Sequence, residues 1–340
     1  MNKLINLLEE KGIQLNTEKN EVLSGCSKTT QVIPLIHQRV LSVKGPDTEK
    51  FLQGQLTCDV RDVFSRGSSL GAHCNIKGHM LSLFRMIKVD QEQVWLRMSH
   101  DIFDSACNNL KKYIVFSKAE AEEVSDTIAG IGVTGPGAQA LIENLFDQSP
   151  TEDNGILTLS NGVVIRVPGN RYEIWMEQEA LAALIDKLPD EVGLGSTDNW
   201  LLSEIDTATP DLRKETQEAF IPQMTNFQAL DGVSFSKGCY TGQEIVTRLQ
   251  HRGQLKKPMY LAEVESNTRP LPGQGIDTEE KPNAGQVVLA APCGENRFRL
   301  LAVINKTLAE SHELRLSGEN KAIELLELPY PLDPDLFTRK

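Results

Sequence analysis

The sequence predicts an α+β protein with more than one domain, on three observations. At 340 residues the chain exceeds what one ordinary core encloses. Strand-length and helix-length apolar patterns alternate through its middle. Toward its C-terminus Gly, Pro and period-two alternation take over.

The elements follow in order. Leu4, Ile5, Leu7, Leu8 and Ile13 have helical spacing, interrupted by Glu9, Glu10 and Lys11. That is not the basic start and apolar centre of a signal peptide, and no apolar run approaches the roughly 20 residues of a membrane span, so a cytoplasmic address is expected. Segments 29–36 and 40–43 read as short strands. Pro46 precedes a helix from Asp47 to Leu56. Leu70 to Asn75, Met80 to Val89 and Gln93 to Met98 read as strands, with a turn at Lys77-Gly78, and a helix follows from Ile102 to Tyr113. Next come a strand (Thr127 to Val133), a helix (Gly137 to Phe146), a strand at Ile156 to Leu159 or Val163 to Val167, a strand at Tyr172 to Met176, and a helix (Gln178 to Leu188). This β-α-β-β-α order predicts a ferredoxin-like unit. Met259 to Val264, Gly285 to Ala290, Phe298 to Ile304 and Ala322 to Leu328 predict a small β-barrel or sandwich.

A net charge of −12 opposes a protein that coats nucleic acid along its whole surface, while leaving room for a local basic site. Nothing calls for DNA contact. The six cysteines (Cys26, Cys58, Cys74, Cys107, Cys239 and Cys293) include no C-x-x-C pair, so neither a disulfide framework nor zinc is expected. Most should be small buried hydrophobes.

Cys239 is the exception. It sits in Lys237-Gly238-Cys239-Tyr240-Thr241-Gly242-Gln243-Glu244. Thr241 stands three residues before Glu244 and an apolar pair follows, the form of a capping box, which predicts a helix from Thr241 to Arg248 or Leu249. The thiol would then lie at a helix mouth, where unpaired N–H groups favour an anion. Gly238 and Gly242 allow a tight backbone and close ligand approach. From Lys237 to Lys257 there are five basic residues (Lys237, Arg248, Arg252, Lys256, Lys257) against one acid, Glu244. Such a cluster attracts anionic partners. His251 is too far along the helix to serve as the thiol's base. His73, Cys74 and His79 fit no usual metal spacing.

Gly130-Ile131-Gly132-Val133-Thr134-Gly135 matches the dinucleotide fingerprint G-x-G-x-x-G. The strand pair that follows is not a β-α-β crossover, so the glycines are expected to serve a strand-to-helix turn instead.

The octet at 237–244 resembles the signature of the YgfZ family. The resemblance extends to Phe220-Ile221-Pro222-Gln223-Met224-Thr225-Asn226, Gln228-Ala229-Leu230, Arg252-Gly253, Phe51-Leu52-Gln53-Gly54-Gln55, Ala72-His73-Cys74 with Lys77-Gly78, and Lys111-Lys112-Tyr113 with Val115-Phe116-Ser117-Lys118. It covers nearly the whole chain. It implies the fold of the glycine-cleavage aminomethyltransferase: three domains round a central hole that holds tetrahydrofolate. The expected divisions are a folate-binding domain (1–125 plus 196–255), a ferredoxin-like domain (126–195) and a C-terminal β-barrel (256–340). The resemblance further implies a folate-binding accessory protein of iron–sulfur-dependent tRNA thiomethylation and cluster maintenance, linked to control of replication initiation. Its partners would be iron–sulfur thiomethylating enzymes or tRNA.

By position, the family's pocket tryptophan falls on Trp200 and a second one on Gln38, where this chain departs from the pattern. Asp206 falls where the aminomethyltransferases keep a pocket glutamate, and Arg252 would meet the folate's glutamate tail. Asn75 to Val89 holds no acid where those enzymes use an aspartate. The acid–base group of aminomethyl transfer is therefore missing. Two other readings stand beside the accessory role: a folate-dependent one-carbon transferase with Cys239 as nucleophile, and a docking module for tRNA or a protein through 248–257.

Overall fold

The structure is a computed structural model that describes residues 2–25, 28–319 and 321–338. Cys26 lies outside them. The chain divides into two compact units, Met1–Phe51 with Val60–Ser69 and Arg85–Ser203, and Leu52–Asp59 with Leu70–Phe84 and Glu204–Lys340. Each unit is assembled from segments far apart in sequence.

In the first unit a six-stranded sheet has the order Ile156–Leu159, Gly162–Val167, Arg171–Glu177, Ile128–Thr134, Gln31–Pro34 and Gly193–Leu194. Both candidates for the middle strand form, as a hairpin pairing Leu159 with Gly162. Gln31–Pro34 inserts beside Ile128–Thr134 antiparallel and beside Gly193–Leu194 parallel. The β-α-β-β-α segment thus takes a strand from the N-terminal part of the chain. One face packs the helices Asn2–Glu10, Ala138–Phe146 and Gln178–Asp186 through Leu4, Leu8, Leu141, Ile142, Leu181 and Ile185. A further core of this unit gathers Ile33, Val40, Ile87, Trp95, Val163, Ile165, Trp175 and Trp200. There strand Gln38–Lys44 pairs with Gln93–Ser99 and with Glu120–Glu123.

In the second unit six antiparallel strands run in the order Leu314–Leu316, Gly275–Thr278, Gly285–Gly294, Arg297–Ile304, Met259–Glu265 and Ile323–Leu326. A bridge between Arg315 and Ala322 brings the two edges together, so the sheet is a nearly closed barrel. Its interior holds Ala262, Val264, Ile276, Val287, Leu300, Ala302 and Leu314, the alternating inward residues of each strand.

The glycine fingerprint has a packing role. Gly130 and Gly132 lie inside strand Ile128–Thr134, and a Cβ on them would stand 2.6 Å from the Trp175 ring and 2.3 Å from the Trp200 ring. Only Gly135 serves the turn, with φ +104. The missing side chains seat two indoles.

Candidate functional site

The octet folds within the second unit. Lys237 is buried, and its Nζ donates to the carbonyls of Leu56 at 2.7 Å and Cys58 at 2.8 Å. It also lies 5.2 Å from the Tyr240 ring centroid. The residue between those carbonyls completes the cradle. Thr57 Oγ1 donates to Gly232 O at 2.6 Å, and Ser234 N donates to Thr57 O at 2.9 Å. The segment 52–59 therefore holds the loop that leads into the thiol. A buried ammonium is tolerable only when its donors are satisfied, so these carbonyls fix the loop's path.

Cys239 is exposed. A Cβ built on Gly238 would meet nothing within 4 Å beyond its chain neighbours, so the residue before the thiol faces open space. Tyr240 turns inward; its hydroxyl is buried with no hydrogen-bond partner among the described residues. Burial pushes the Tyr240 phenol up, and the Cys74 and Cys58 thiols add to the effect. Cys74 is itself pushed up to about 12 by burial, and Cys107 likewise. These thiols stay neutral.

The helix begins at Gln243, not Thr241, and runs to Arg252. The capping box does not form. Gly242 is the cap residue with φ 83, without a side-chain cap bond, and Thr241 Oγ1 instead reaches Gln55 Oε1 at 3.4 Å. The physical reason is the approach of the hairpin turn at 75–79. A Cβ at Gly242 would stand 2.4 Å from Asn75 O, and one at Gly78 3.1 Å from Ile245 Cβ. Left-handed glycine lets the chain pass that backbone before turning helical. Asn75 fixes the turn: its Oδ1 accepts from the N–H of Lys77 and His79, and its Nδ2 donates to Glu218 Oε2 at 2.7 Å. Gln223 Nε2 donates to Val246 O at 2.6 Å, tying the helix to the 220–226 segment. Gln243 N donates to Tyr240 O at 3.2 Å, and Glu244 is exposed. Arg248, Arg252, Lys256 and Lys257 are all exposed, and His251 packs edge-on to Phe235 with ring centroids 6.4 Å apart.

The residues expected round a folate are placed differently from one another. Trp200 is 1% exposed on helix Thr197–Asp206, enclosed by Gly132 and by the Arg171 guanidinium 4.8 Å from its ring centroid. No ring face is open in this arrangement. The Asp206 carboxylate accepts from Arg299 Nη1 at 2.7 Å. Gln38 is 4% exposed at the start of its strand, and neither its Nε2 nor its Oε1 has a hydrogen-bond partner among the described residues. Of this set, Gln38 alone presents an unsatisfied buried donor and acceptor, a pair that a bound amide-like edge would complete.

A buried charge cluster escaped the sequence reading. Glu173 accepts from Arg97 Nε at 3.1 Å and Nη2 at 2.6 Å, and from Trp175 Nε1 at 2.8 Å, with Arg85 Nε at 3.7 Å. Burial works to raise the Glu173 carboxyl, but Arg97 and Arg85 outweigh it and hold the carboxyl at about 2. Three charged residues on separate strands leave no local spacing to read.

The comparisons point to one family. The model of the GCVT N-terminal domain matches residues 21–168. The tRNA-modifying protein YgfZ of Pectobacterium atrosepticum is 32% identical over 307 residues, 88% of this chain and 92% of that protein. The chain belongs to the YgfZ family. The tRNA-modifying protein YgfZ of Photobacterium profundum is 33% identical over 301 residues, 86% of this chain and 89% of that protein. Among solved structures, the glycine cleavage system aminomethyltransferase T of Bartonella henselae superposes with a TM-score of 0.70 at 13% identity, over 96% of each chain. That likeness gives this YgfZ-family chain the aminomethyltransferase fold, as its motifs implied.

Proposed function

We propose that this chain is a folate-binding accessory protein of tRNA modification, acting through Cys239 in iron–sulfur-dependent thiomethylation. The observation that carries the proposal is an exposed thiol on a loop whose base is locked by the buried Lys237 ammonium. The other described cysteines are buried or half-buried. A thiol meant only for packing has no reason to be presented in this way. The tRNA substrate is drawn from the YgfZ relatives, and folate from the aminomethyltransferase fold.

Folate supplies one-carbon chemistry when bound. A pterin carries an N–H beside a C=O, the complement of a glutamine amide, and Gln38, like Gln228, has both amide functions buried without a partner among the described residues. Trp200 acts as core in this reading. The absence of acid from Asn75 to Val89 favours an accessory over a transferase.

Cys239→Ser is expected to abolish tRNA thiomethylation in cells while the protein keeps its melting temperature. Normal thiomethylation would overturn the thiol's role. For the ligand, calorimetry of tetrahydrofolate should give binding to the unaltered protein and a loss of about tenfold or more in Gln38→Leu. That variant should be no less stable than the parent, because it removes two unsatisfied buried atoms. Equal affinity in both proteins would remove Gln38 from the pocket.

A further inference from the structure

The helix Phe103–Ile114 in the first unit buries Phe103, Ala106, Cys107 and Leu110, an apolar face of ordinary helical spacing that continues to the half-buried Ile114. Tyr113, Val115 and Phe116 fall off that face. They are 47%, 68% and 96% exposed. Isolated exposed apolar residues are common, but three large ones within four positions are not.

Lys111, Lys112 and Lys118 flank them, with no acid between Lys111 and Lys118, in a chain whose net charge is −12. Lys112 Nζ donates to Asn109 Oδ1 at 2.8 Å, and none of the three lysines is ion-paired among the described residues. Lys111 and Lys112 also complement the carbonyl end of the helix, which accounts for two cations but not for the exposure of Phe116.

The segment is held firmly. Ser117 N donates to Ile114 O at 2.8 Å, Lys118 N to Asp47 Oδ2 at 2.8 Å, and Asp47 N back to Lys118 O at 3.2 Å. Gly45, at φ 137, allows the approach; a Cβ there would stand 2.4 Å from Lys118 O. A rigidly displayed aromatic loses little freedom on binding.

We propose that residues 111–118 form an RNA contact, in which an unpaired base stacks on Phe116 while Lys111, Lys112 and Lys118 take neighbouring phosphates. Stacking platforms beside cations are what single-stranded nucleic acid requires, and its bases and phosphates meet both halves of the patch. A protein partner fits less well, because lysine is depleted in protein interfaces. Duplex RNA offers no free base face. The inference rests on the tRNA part of the proposed function and is independent of its folate and thiol parts.

The test is fluorescence anisotropy with a labelled, unmodified tRNA transcript and a labelled RNA duplex of equal phosphate number. The unaltered chain should bind the transcript. Phe116→Ala should weaken that binding about 10- to 100-fold and leave duplex binding within about twofold, while Phe116→Trp should retain transcript affinity. Lys111→Gln with Lys112→Gln should flatten the dependence of log affinity on log salt by about 0.7–0.9 per lost phosphate contact. Phe116 is solvent-exposed, so these variants should fold. Transcript binding unchanged by Phe116→Ala would overturn this inference alone. Binding of neither RNA by the unaltered chain would overturn it together with direct tRNA contact. Lost thiomethylation in cells with unchanged RNA affinity in Phe116→Ala would assign the patch to a protein instead.

Discussion

Trp200 and Cys239 occupy opposite environments. The indole is closed in by a glycine-bearing strand and an arginine, inside a core that also buries the Glu173 cluster. The thiol stands exposed on a loop anchored through Lys237 to the carbonyls of Leu56 and Cys58. In the first region burial uses up the chemistry of the residues it encloses: ring faces are packed and charges are paired. In the second, burial is confined to the anchor and leaves the thiol exposed. A side chain's type therefore says less about its role than which of its atoms the fold has already engaged.

Substitutions test this contrast. The largest expected effect is Trp200→Ala, which should cost about 3–5 kcal/mol by emptying a core site, whereas Cys239→Ser should cost under about 0.5 kcal/mol. Urea unfolding followed for the two variants measures both. Similar losses would erase the distinction between an engulfed and a displayed residue.

The Glu173 cluster gives the same region a pH signature. Its carboxyl falls from an ordinary 4.5 to about 2 in the folded chain. A depressed folded value means that the stabilisation is fully present above about pH 4.5 and is lost as pH falls through about 2. It amounts to roughly 3 kcal/mol. Glu173→Gln should be destabilised at neutral pH, with its deficit against the parent shrinking between pH 4.5 and 2. A deficit independent of pH would show that the carboxylate's charge contributes nothing.

The smallest effects separate the two glycines beside the thiol. Gly242→Ala forces a side chain into φ 83 and against Asn75 O, so a loss of about 1–2 kcal/mol is expected. Gly238→Ala meets open space and should change the melting temperature little. Equal effects would mean that the loop's path is not set by the 75–79 turn.

Much of this architecture was legible from periodicity. The helices at 103–114 and 178–186 and the strands at 80–88 and 93–99 fall within a few residues of the expected ranges. The helix beside the thiol was foreseen, but not its cap. Thr241 and Glu244 have the spacing of a capping box, yet the Asn75 carbonyl, 167 positions before Gly242 in sequence, requires a left-handed glycine there. The glycine fingerprint misled in the same manner, because the tryptophans that need Gly130 and Gly132 come from other elements. The exposed Phe116 was visible only as part of a motif, since sequence does not show that the helix's buried face has already ended.

The sequence by itself determined the α+β class, the family through its 237–244 signature, and Cys239 as the unusual thiol. Local spacing and composition carry that information. Only the tertiary structure decided which groups remain available: that Trp200 is core, that Asp206 is engaged by Arg299, that Gln38 is buried with its amide unsatisfied, and that Lys237 anchors the loop. Those outcomes depend on partners distant in sequence, and hydrogen-bond satisfaction and packing are settled only where such segments meet.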